Sequence, residues 1–364
     1  MKIAMIGQKG IPATYGGIER NVEEVGSRLA RMGHEVTVYC RLYYTKRGGT
    51  YRGMRLIRLP SINTKHLDTA THCLLSTTDS LFRGFDIVHF HALGPSVFAR
   101  MPRLKGAKTV VMVHGLDWQR EKWGPLASWI LKKCEFPAIH FPDKTVVVSR
   151  TLQRYFIEKY SRETVVIPNG TKMPVDRPPN QIRRFGLDQG NYLLFVGRLV
   201  PEKGVHFLTE AFSRIDTGLK LVLAGGSSFS DSYVSQLRRH ESDRVIFLDY
   251  VYGDVLEELW SNAYMVVQPS TMEGLSISLL EALSYGRCVL VSDIPENMEV
   301  VGDCSPSFET QNVADLTGKL ETLLRSPELV RDYERKCRDH VSQKFSWDTI
   351  AESVEKLYKE MLGS

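Results

Sequence analysis

Short apolar runs alternate along this chain with segments whose apolar positions recur every three to four residues. In the first half the runs fall at residues 2–6, 36–39, 54–59, 86–89, 108–113, 144–149 and 165–167. They return at 192–196, 219–223, 245–248, 265–268 and 289–292. Between them a helical period is clearest at 19–32, 125–137 and 150–160, then at 205–214, 233–239, 257–262, 276–285 and 313–325. Continuous Val/Ile/Leu strands alternating with helices predict parallel sheets covered on both faces. The pattern restarts after residues 171–180, a polar, proline-rich stretch that reads as an interdomain linker. The expected fold is therefore α/β, with two doubly wound Rossmann-like domains, 1–170 and 171–346, facing across a cleft. The amphipathic segment 347–362 is expected to pack back onto the first domain.

At 364 residues the chain is long enough for two domains, and its composition is that of a globular protein. Six scattered cysteines with no Cys-X-X-Cys pair argue for reduced thiols in a cytosolic setting. The start, Met1-Lys2-Ile3-Ala4-Met5-Ile6-Gly7, runs directly into a strand and does not read as a signal peptide. No run approaches the roughly 18 apolar residues of a spanning helix. The net charge of +5 conceals an asymmetry. Residues 1–170 hold 26 Lys and Arg against 13 Asp and Glu, and the remainder holds 21 against 29. A basic half predicts an anionic partner, with nucleic acid and acidic lipid as the two candidates.

The strongest chemical signal is a pair of carboxylates eight residues apart, Glu273 and Glu281. The apolar run between them reads as the first turns of a buried helix, with Glu273 in the preceding loop. The helical part separates them axially by about 8 Å, enough to touch opposite ends of one extended polar ligand. A Glu in so apolar a helix is costly without polar partners. The amides of Gly274, Leu275 and Ser276 lie between the two, at a helix N-terminus that favours an anion. Two hydroxyl-binding carboxylates flanking a phosphate site point to a nucleotide sugar. Arg198 and Lys203 lie in the loop after the first strand of the second half, where open α/β sheets bind ligands. Together they can neutralise a diphosphate, one as a planar fork and one as a point charge.

His114 ends a first-half strand, and Gly115 beside it would let a ligand come near. His89 and His91, also at a strand end, read as structural. The loop from Gly7 to Gly17 is longer than the Gly-X-Gly-X-X-Gly turn of a dinucleotide site, which sets a dehydrogenase aside. Gly16-Gly17 opening a helix allows close backbone approach to a phosphate. No Asp-X-Asp triplet occurs, so the usual carboxylate handle for a divalent ion is missing. Neither a metal nor a cofactor is expected.

Together these motifs resemble the GT-B glycosyltransferases of family 4, along essentially the whole chain. The resemblance rests on Gly16-Gly17-Ile18-Glu19, His114-Gly115, Ile167-Pro168-Asn169-Gly170, Gly197-Arg198 with Lys203-Gly204, and Pro269-Ser270 ahead of Glu273 and Glu281. It implies a retaining transferase that moves a hexose from a nucleotide-diphosphate sugar, with the donor in the C-terminal domain and the acceptor in the N-terminal one. It implies that Glu273 contacts the transferred sugar, that Glu281 binds the ribose, and that Arg198, Lys203 and Gly17 hold the diphosphate. His114 would contact the sugar near the reacting face. The segments Gly7-Gln8-Lys9-Gly10-Ile11-Pro12-Ala13 and Lys65-His66-Leu67-Asp68-Thr69 look like the branch that builds bacterial surface polysaccharides, with rhamnosyl- or mannosyl-type enzymes. On that resemblance Tyr15, Glu19, His66 and Asp68 would meet the acceptor, a glycan or a lipid-diphosphate-linked sugar. Asp249 stands where the family usually has Gly in the base-binding loop, with Tyr250 and Val251 offering backbone contacts.

The basic half would then face anionic lipid through Arg52, Arg55, Arg58, Arg100, Arg103, Lys105, Lys108, Lys132 and Lys133, at the inner face of a membrane. Two other classes stay open: a nucleotide-sugar epimerase on the same architecture, and a nucleic-acid-binding protein. Against the latter, the basic residues are not interleaved with aromatics and no nucleic-acid module is recognisable.

Overall fold

The computed structural model describes residues 1–14, 16–120, 123–227, 230–341 and 344–363, and only the backbone at 338, 339 and 341. The chain forms two compact units, residues 1–170 with 347–364, and residues 171–346. The first contains β1 (Lys2–Ile6), α1 (Gly17–Arg31), β2 (Glu35–Arg41), β3 (Gly49–Tyr51), β4 (Met54–Leu59), α2 (Asp68–Ser80), β5 (Ile87–His91), β6 (Lys108–Val113), α3 (Pro125–Lys133), α4 (Glu135–His140), β7 (Lys144–Val147), α5 (Arg150–Tyr160) and β8 (Val165–Val166). The second contains β9 (Tyr192–Val196), α6 (Val205–Ser213), β10 (Lys220–Ala224), α7 (Asp231–Leu237), β11 (Val245–Phe247), α8 (Gly253–Asn262), β12 (Met265–Gln268), α9 (Ile277–Ser284), β13 (Val289–Ser292), α10 (Pro295–Val301), β14 (Ser307–Phe308), α11 (Val313–Arg325) and α12 (Pro327–Val341). The last helix, α13 (Trp347–Leu362), belongs to the first unit.

The first sheet runs β3-β4-β2-β1-β5-β6-β7-β8, parallel except for the β3/β4 hairpin. The second runs β11-β10-β9-β12-β13-β14, all parallel. Central strands such as β13, Val-Leu-Val-Ser, are buried along their whole length, which is why they read as unbroken apolar runs. In the second unit Leu193, Phe195, Leu223 and Leu290 pack with Leu208 and Phe212 of α6 and Leu316 and Leu320 of α11. Strand order reverses between β1 and β5 in one sheet and between β9 and β12 in the other. Ligands of open α/β sheets bind beyond the carboxyl ends of strands at such reversals. The loops after β1, β9 and β12, which carry the sequence motifs, occupy those positions.

Several segments differ from the sequence expectation for identifiable reasons. The helix expected over 125–137 breaks at Cys134, because Pro137 lacks an N–H and its ring crowds the carbonyl one turn back. The polar stretch 171–180 is not a free tether. Glu258, buried on α8, accepts the amides of Asn180 at 2.9 Å and Ile182 at 3.1 Å, and Asn262 donates to the Arg177 carbonyl at 2.8 Å. Short edge strands β3 and β14 and helices α10 and α12 escaped the periodicity, being brief or largely polar. At the return to the first unit, Gly170 lies so close to Trp347 that a Cβ would sit 2.7 Å from the indole. No helix among the described residues is long and apolar enough to cross a membrane.

Candidate functional site

In the second unit the loops after β9 and β12 are pressed together. Gly204, at φ 65°, sits where a Cβ would be 1.9 Å from the Pro269 carbonyl oxygen. The Thr271 amide donates to the Glu202 carbonyl at 2.9 Å. This contact brings Lys203 onto Glu273, whose side chain is 9% exposed. Three donors converge on one oxygen, Glu273 Oε1: Lys203 Nζ, Ser270 Oγ at 2.7 Å and Gln268 Nε2 at 3.0 Å. No donor among the described residues reaches Oε2. Burial opposes ionisation of Glu273, but the Lys203 charge and these hydrogen bonds outweigh it and hold the carboxyl below its usual range. The result is an ionised carboxylate with one oxygen saturated and one available. Lys203, expected to neutralise a diphosphate together with Arg198, is thus committed in part to Glu273. Arg198 follows β9 directly and is half-buried.

Helix α9 begins one residue later than expected. Ser276 is its N-cap, with its hydroxyl accepting from the Leu279 amide and from Gln268 Nε2. Leu275 and Ser276 are buried, Gly274 and Glu281 half-buried. Glu281 lies on α9 between the buried Leu280 and Ala282, as the pattern implied. In the base-side loop Asp249 adopts φ 49°, the left-handed conformation that glycine takes readily and Asp tolerates, and pairs with Arg238 at 2.7 Å. The Tyr250 hydroxyl donates to the carbonyls of Gly226 and Ser227 at 3.1 and 3.0 Å, and its ring covers Gly226. Tyr250 therefore ties two loops together, leaving Val251 half-buried beside it.

In the first unit the β1–α1 loop is held from within. Glu19 accepts the Lys9 amide at 2.9 Å and Glu23 accepts that of Ala13 at 2.6 Å. Gly16, at φ 102°, faces the Glu19 carboxylate, which leaves no room for a Cβ. Gly17 opens α1, as expected. Glu19 is buried, so its carboxylate shapes this loop. Asp68 is likewise spent internally. It takes Arg41 at 2.6 Å and Tyr43 at 2.7 Å on one oxygen and Ser61 at 2.6 Å on the other. His66 is exposed and lies 5.8 Å from the Trp123 ring, which Lys65 also approaches. Tyr15 lies outside the described residues.

His114 does not stand alone. Its Nε2 is 3.1 Å from His91 Nδ1, and His91 stacks on His89 at 4.3 Å. His89 Nδ1 meets the hydroxyl of Tyr358, on α13, at 2.6 Å. Burial pushes all three imidazoles down, His114 to about 4; neighbouring imidazoles add to the effect at His89 and His91, and Arg120 adds to it at His114. His89 and His91, expected to be structural, are both buried, and His91 directly contacts the candidate site residue His114. Their spacing of two on a strand, placing both on one face, was the available signal. Also missed was Glu135, fully buried and bonded to Trp118, Tyr155, Tyr160 and Lys159. Among the described residues no group of three or more His, Cys, Asp or Glu could hold a metal ion.

Residues 15–173 match the family model described as Glycosyltransferase Family 4, and residues 179–340 the model described as Glycosyl transferases group 1. An alpha-maltose-1-phosphate synthase of Mycolicibacterium smegmatis is 24% identical over 397 residues, covering 99% of this chain and 100% of that one. An uncharacterized glycosyltransferase of Methanocaldococcus jannaschii is 26% identical over 395 residues, covering both chains fully. The fold is similar to sucrose-phosphate synthase from Thermosynechococcus elongatus, with TM-score 0.84 at 21% identity over 100% of this chain and 99% of that one. It is also similar to Anabaena HepE crystallised with UDP and glucose, with TM-score 0.82 at 19% identity over 99% and 100% of the two chains.

Proposed function

We propose a donor, a stereochemical course and a membrane-facing surface for this chain, which belongs to glycosyltransferase family 4 and has the GT-B fold. The donor is a nucleotide-diphosphate hexose, and it binds the second unit. One observation carries this reading: Glu273 is ionised, with Oε1 saturated and Oε2 open, at the strand reversal where α/β sheets bind ligands. Oε2 accepts from hydroxyls of the transferred sugar, and Glu281 from those of the ribose. Arg198, Lys203 and the amides of Gly274, Leu275 and Ser276 stabilise the diphosphate. Tyr250 and Val251 border the base. The HepE complexes with UDP and UDP-glucose support a uridine nucleotide as the first donor to try.

Transfer proceeds with retention. The bond from the anomeric carbon to the phosphate oxygen breaks, and the acceptor hydroxyl bonds that carbon on the same face. The acceptor's proton passes to the departing diphosphate, so no protein nucleophile is needed. Negative charge grows on the diphosphate and is met by Arg198; positive charge grows on the sugar ring. His114 bonds a sugar oxygen. No resident metal or cofactor takes part. The acceptor is a glycan or a lipid-diphosphate-linked sugar for a cell-surface polysaccharide and meets the first unit, where the exposed His66 packs near the half-buried Trp123; Glu19 and Asp68 shape the loops around it.

The test is a screen of UDP-, GDP- and dTDP-hexoses for thermal stabilisation and for slow release of the nucleotide, with the anomeric configuration of the product read by NMR. Inverted product removes the same-face course. An isomerised donor with no transferred sugar would favour an epimerase instead. Arg198→Ala should lower turnover about a hundredfold in a folded protein.

The same enzyme works at an anionic membrane surface. Helix α3 buries none of its residues, and Leu126, Trp129 and Ile130 are 71%, 59% and 50% exposed beside the exposed Lys132 and Lys133. Apolar side chains flanked by lysines suit the interface of an acidic bilayer. The rest of the basic set is more dispersed: Arg52 pairs with Glu23 and Glu24, and Arg103 and Lys108 with Asp143. Equal flotation with neutral and anionic liposomes would remove this surface role.

A further inference from the structure

We propose that His91 is a positioning residue which fixes His114 as a neutral donor protonated at Nδ1; the inference rests on the reading that His114 meets the substrate. The argument is one of proton counting. A neutral imidazole carries one proton, and the hydrogen bond made by one nitrogen decides where it sits. Between His91 Nδ1 and His114 Nε2, 3.1 Å apart, one nitrogen donates and the other accepts. The Nε2 atoms of both His89 and His91 are buried with no hydrogen-bond partner.

Consider the two assignments. If His114 donates through Nε2, His91 must carry its own proton on Nε2. That creates a buried N–H with nothing to accept it, the rarest kind of unsatisfied polar group. If His91 donates through Nδ1, its Nε2 is bare and only an acceptor goes unmet. The second assignment is the better one. His114 then accepts at Nε2 and holds its proton at Nδ1, which bonds no described residue. His89 Nδ1 is hydrogen-bonded to the Tyr358 hydroxyl at 2.6 Å, so helix α13 anchors the base of the stack. Stacking at 4.3 Å between His89 and His91, and ring centroids 5.4 Å apart between His91 and His114, keep the His91 ring from turning over.

The groups facing His114 keep it uncharged near neutrality. Burial dominates, Asp117 pulls its pKa up, Arg120 pulls it down, and the value falls to about 4. Neutrality matters chemically. Glycosyl transfer builds positive charge on the sugar ring. A charged imidazolium beside that ring would oppose the transition state, whereas a neutral N–H bonds a sugar oxygen without that repulsion.

The experiment is a long-range proton–nitrogen correlation spectrum of the full-length protein labelled with ¹⁵N-histidine, the His114 signals being identified by their loss in His114→Gln. Wild type should show the Nδ1–H pattern at His114. In His91→Leu it should shift to the Nε2–H form that a free neutral imidazole favours. Turnover should fall about ten- to hundredfold with donor KM nearly unchanged, the scale of losing a partner that fixes an imidazole tautomer. His91→Asn, whose amide can donate from nearly the same place, should restore the pattern and most of kcat. A wild-type His114 in the Nε2–H form overturns the assignment whatever the kinetics, and this reading needs no variant to fold. An Nδ1–H form with unaltered kcat in a folded His91→Leu overturns the positioning role. The donor screen stands or falls separately, because the spectrum needs no substrate.

Discussion

Two carboxylates, the fully buried Glu135 in the first unit and the mostly buried Glu273 in the second, are paired with lysine yet finished differently. Glu135 has both oxygens filled: Trp118 Nε1 at 2.6 Å and the Tyr155 hydroxyl at 2.9 Å on Oε1, and Lys159 with the Tyr160 hydroxyl at 2.8 Å on Oε2. Glu273 crowds its donors onto Oε1 alone. Burying a carboxylate is costly in either case, and pairing with extra hydrogen bonds is what makes it tolerable. A group with every lone pair answered can only hold the fold. A group left partly unanswered, at a strand reversal, is built to take something else. Occupancy separates the two where residue type and burial do not.

The largest effect should come from Glu273→Gln. The amide keeps the shape but loses the charge that Lys203 answers, and puts a donor where the proposed donor sugar would need an acceptor. Turnover should drop by about a hundred- to a thousandfold, as for loss of one preorganised electrostatic contact. The melting temperature should change less than in Glu135→Leu. Steady-state kinetics on folded protein tests this; turnover within a few-fold of wild type would erase the contrast.

Glu135→Leu should do the reverse. It strands an indole N–H and two phenol hydroxyls, each costing about 1–3 kcal/mol if unsatisfied. Lys159, 34% exposed, can turn to water and softens the loss. About 3 kcal/mol follows, or a fall of roughly 6–12 °C in the transition of the first unit. Activity of the protein that remains folded should be near normal. A large loss of activity with an unchanged melting curve would reverse the roles assigned here.

The histidine stack supplies the third term of the comparison, buried titratable groups kept neutral in place of paired. Their folded pKa values lie below the unfolded value of about 6.5, His89 at about 3 and His114 at about 4. Between those limits the unfolded chain binds more protons than the folded one. Stability therefore falls as pH drops below about 6.5 and is level above it, each group adding a slope of up to about 1.4 kcal/mol per pH unit. Glu273, with its pKa lowered, loses its contribution only at more acidic pH, below the normal range of Glu. Replacing His89 with Phe should make the fall in melting temperature from pH 7 to pH 4.5 shallower. Parallel slopes for variant and wild type would show that the stack does not titrate as a buried neutral unit.

Much of this was legible from the chain. Strand positions such as residues 108–113 and 192–196 followed from unbroken apolar runs, and α5, α11 and α13 from the helical period. Glu273, Lys203 and Arg198 stood out because acidic and basic side chains follow strands that end in glycine or proline turns. The pairing of Lys203 with Glu273 did not, since it depends on two loops 70 residues apart being pressed together at Gly204 and Pro269. Asp68 and Glu19 looked available for a ligand because sequence shows charge but not who answers it. Glu135 went unnoticed for the same reason: its partners lie up to 25 residues away, on the Trp118 turn and on α5.

Asp249 closes the series at the exposed end. Its carboxylate pairs with Arg238 at 2.7 Å, but its side chain is 71% exposed. Exposed pairs contribute about 0–1 kcal/mol. Its backbone, at φ 49°, carries part of the left-handed penalty of roughly 1–2 kcal/mol that a side chain brings. Asp249→Gly would relieve that penalty, lose the pair, and add about 0.5–1 kcal/mol of unfolded-chain entropy to be overcome. The three nearly cancel. The variant should melt within about 2–4 °C of wild type, and its preference among UDP, GDP and dTDP sugars should not move, because glycine holds the same loop conformation. A switch in nucleotide preference would mean that the Asp249 carboxylate itself reads the base, and would place it with Glu273 among the groups that leave an oxygen free for a ligand.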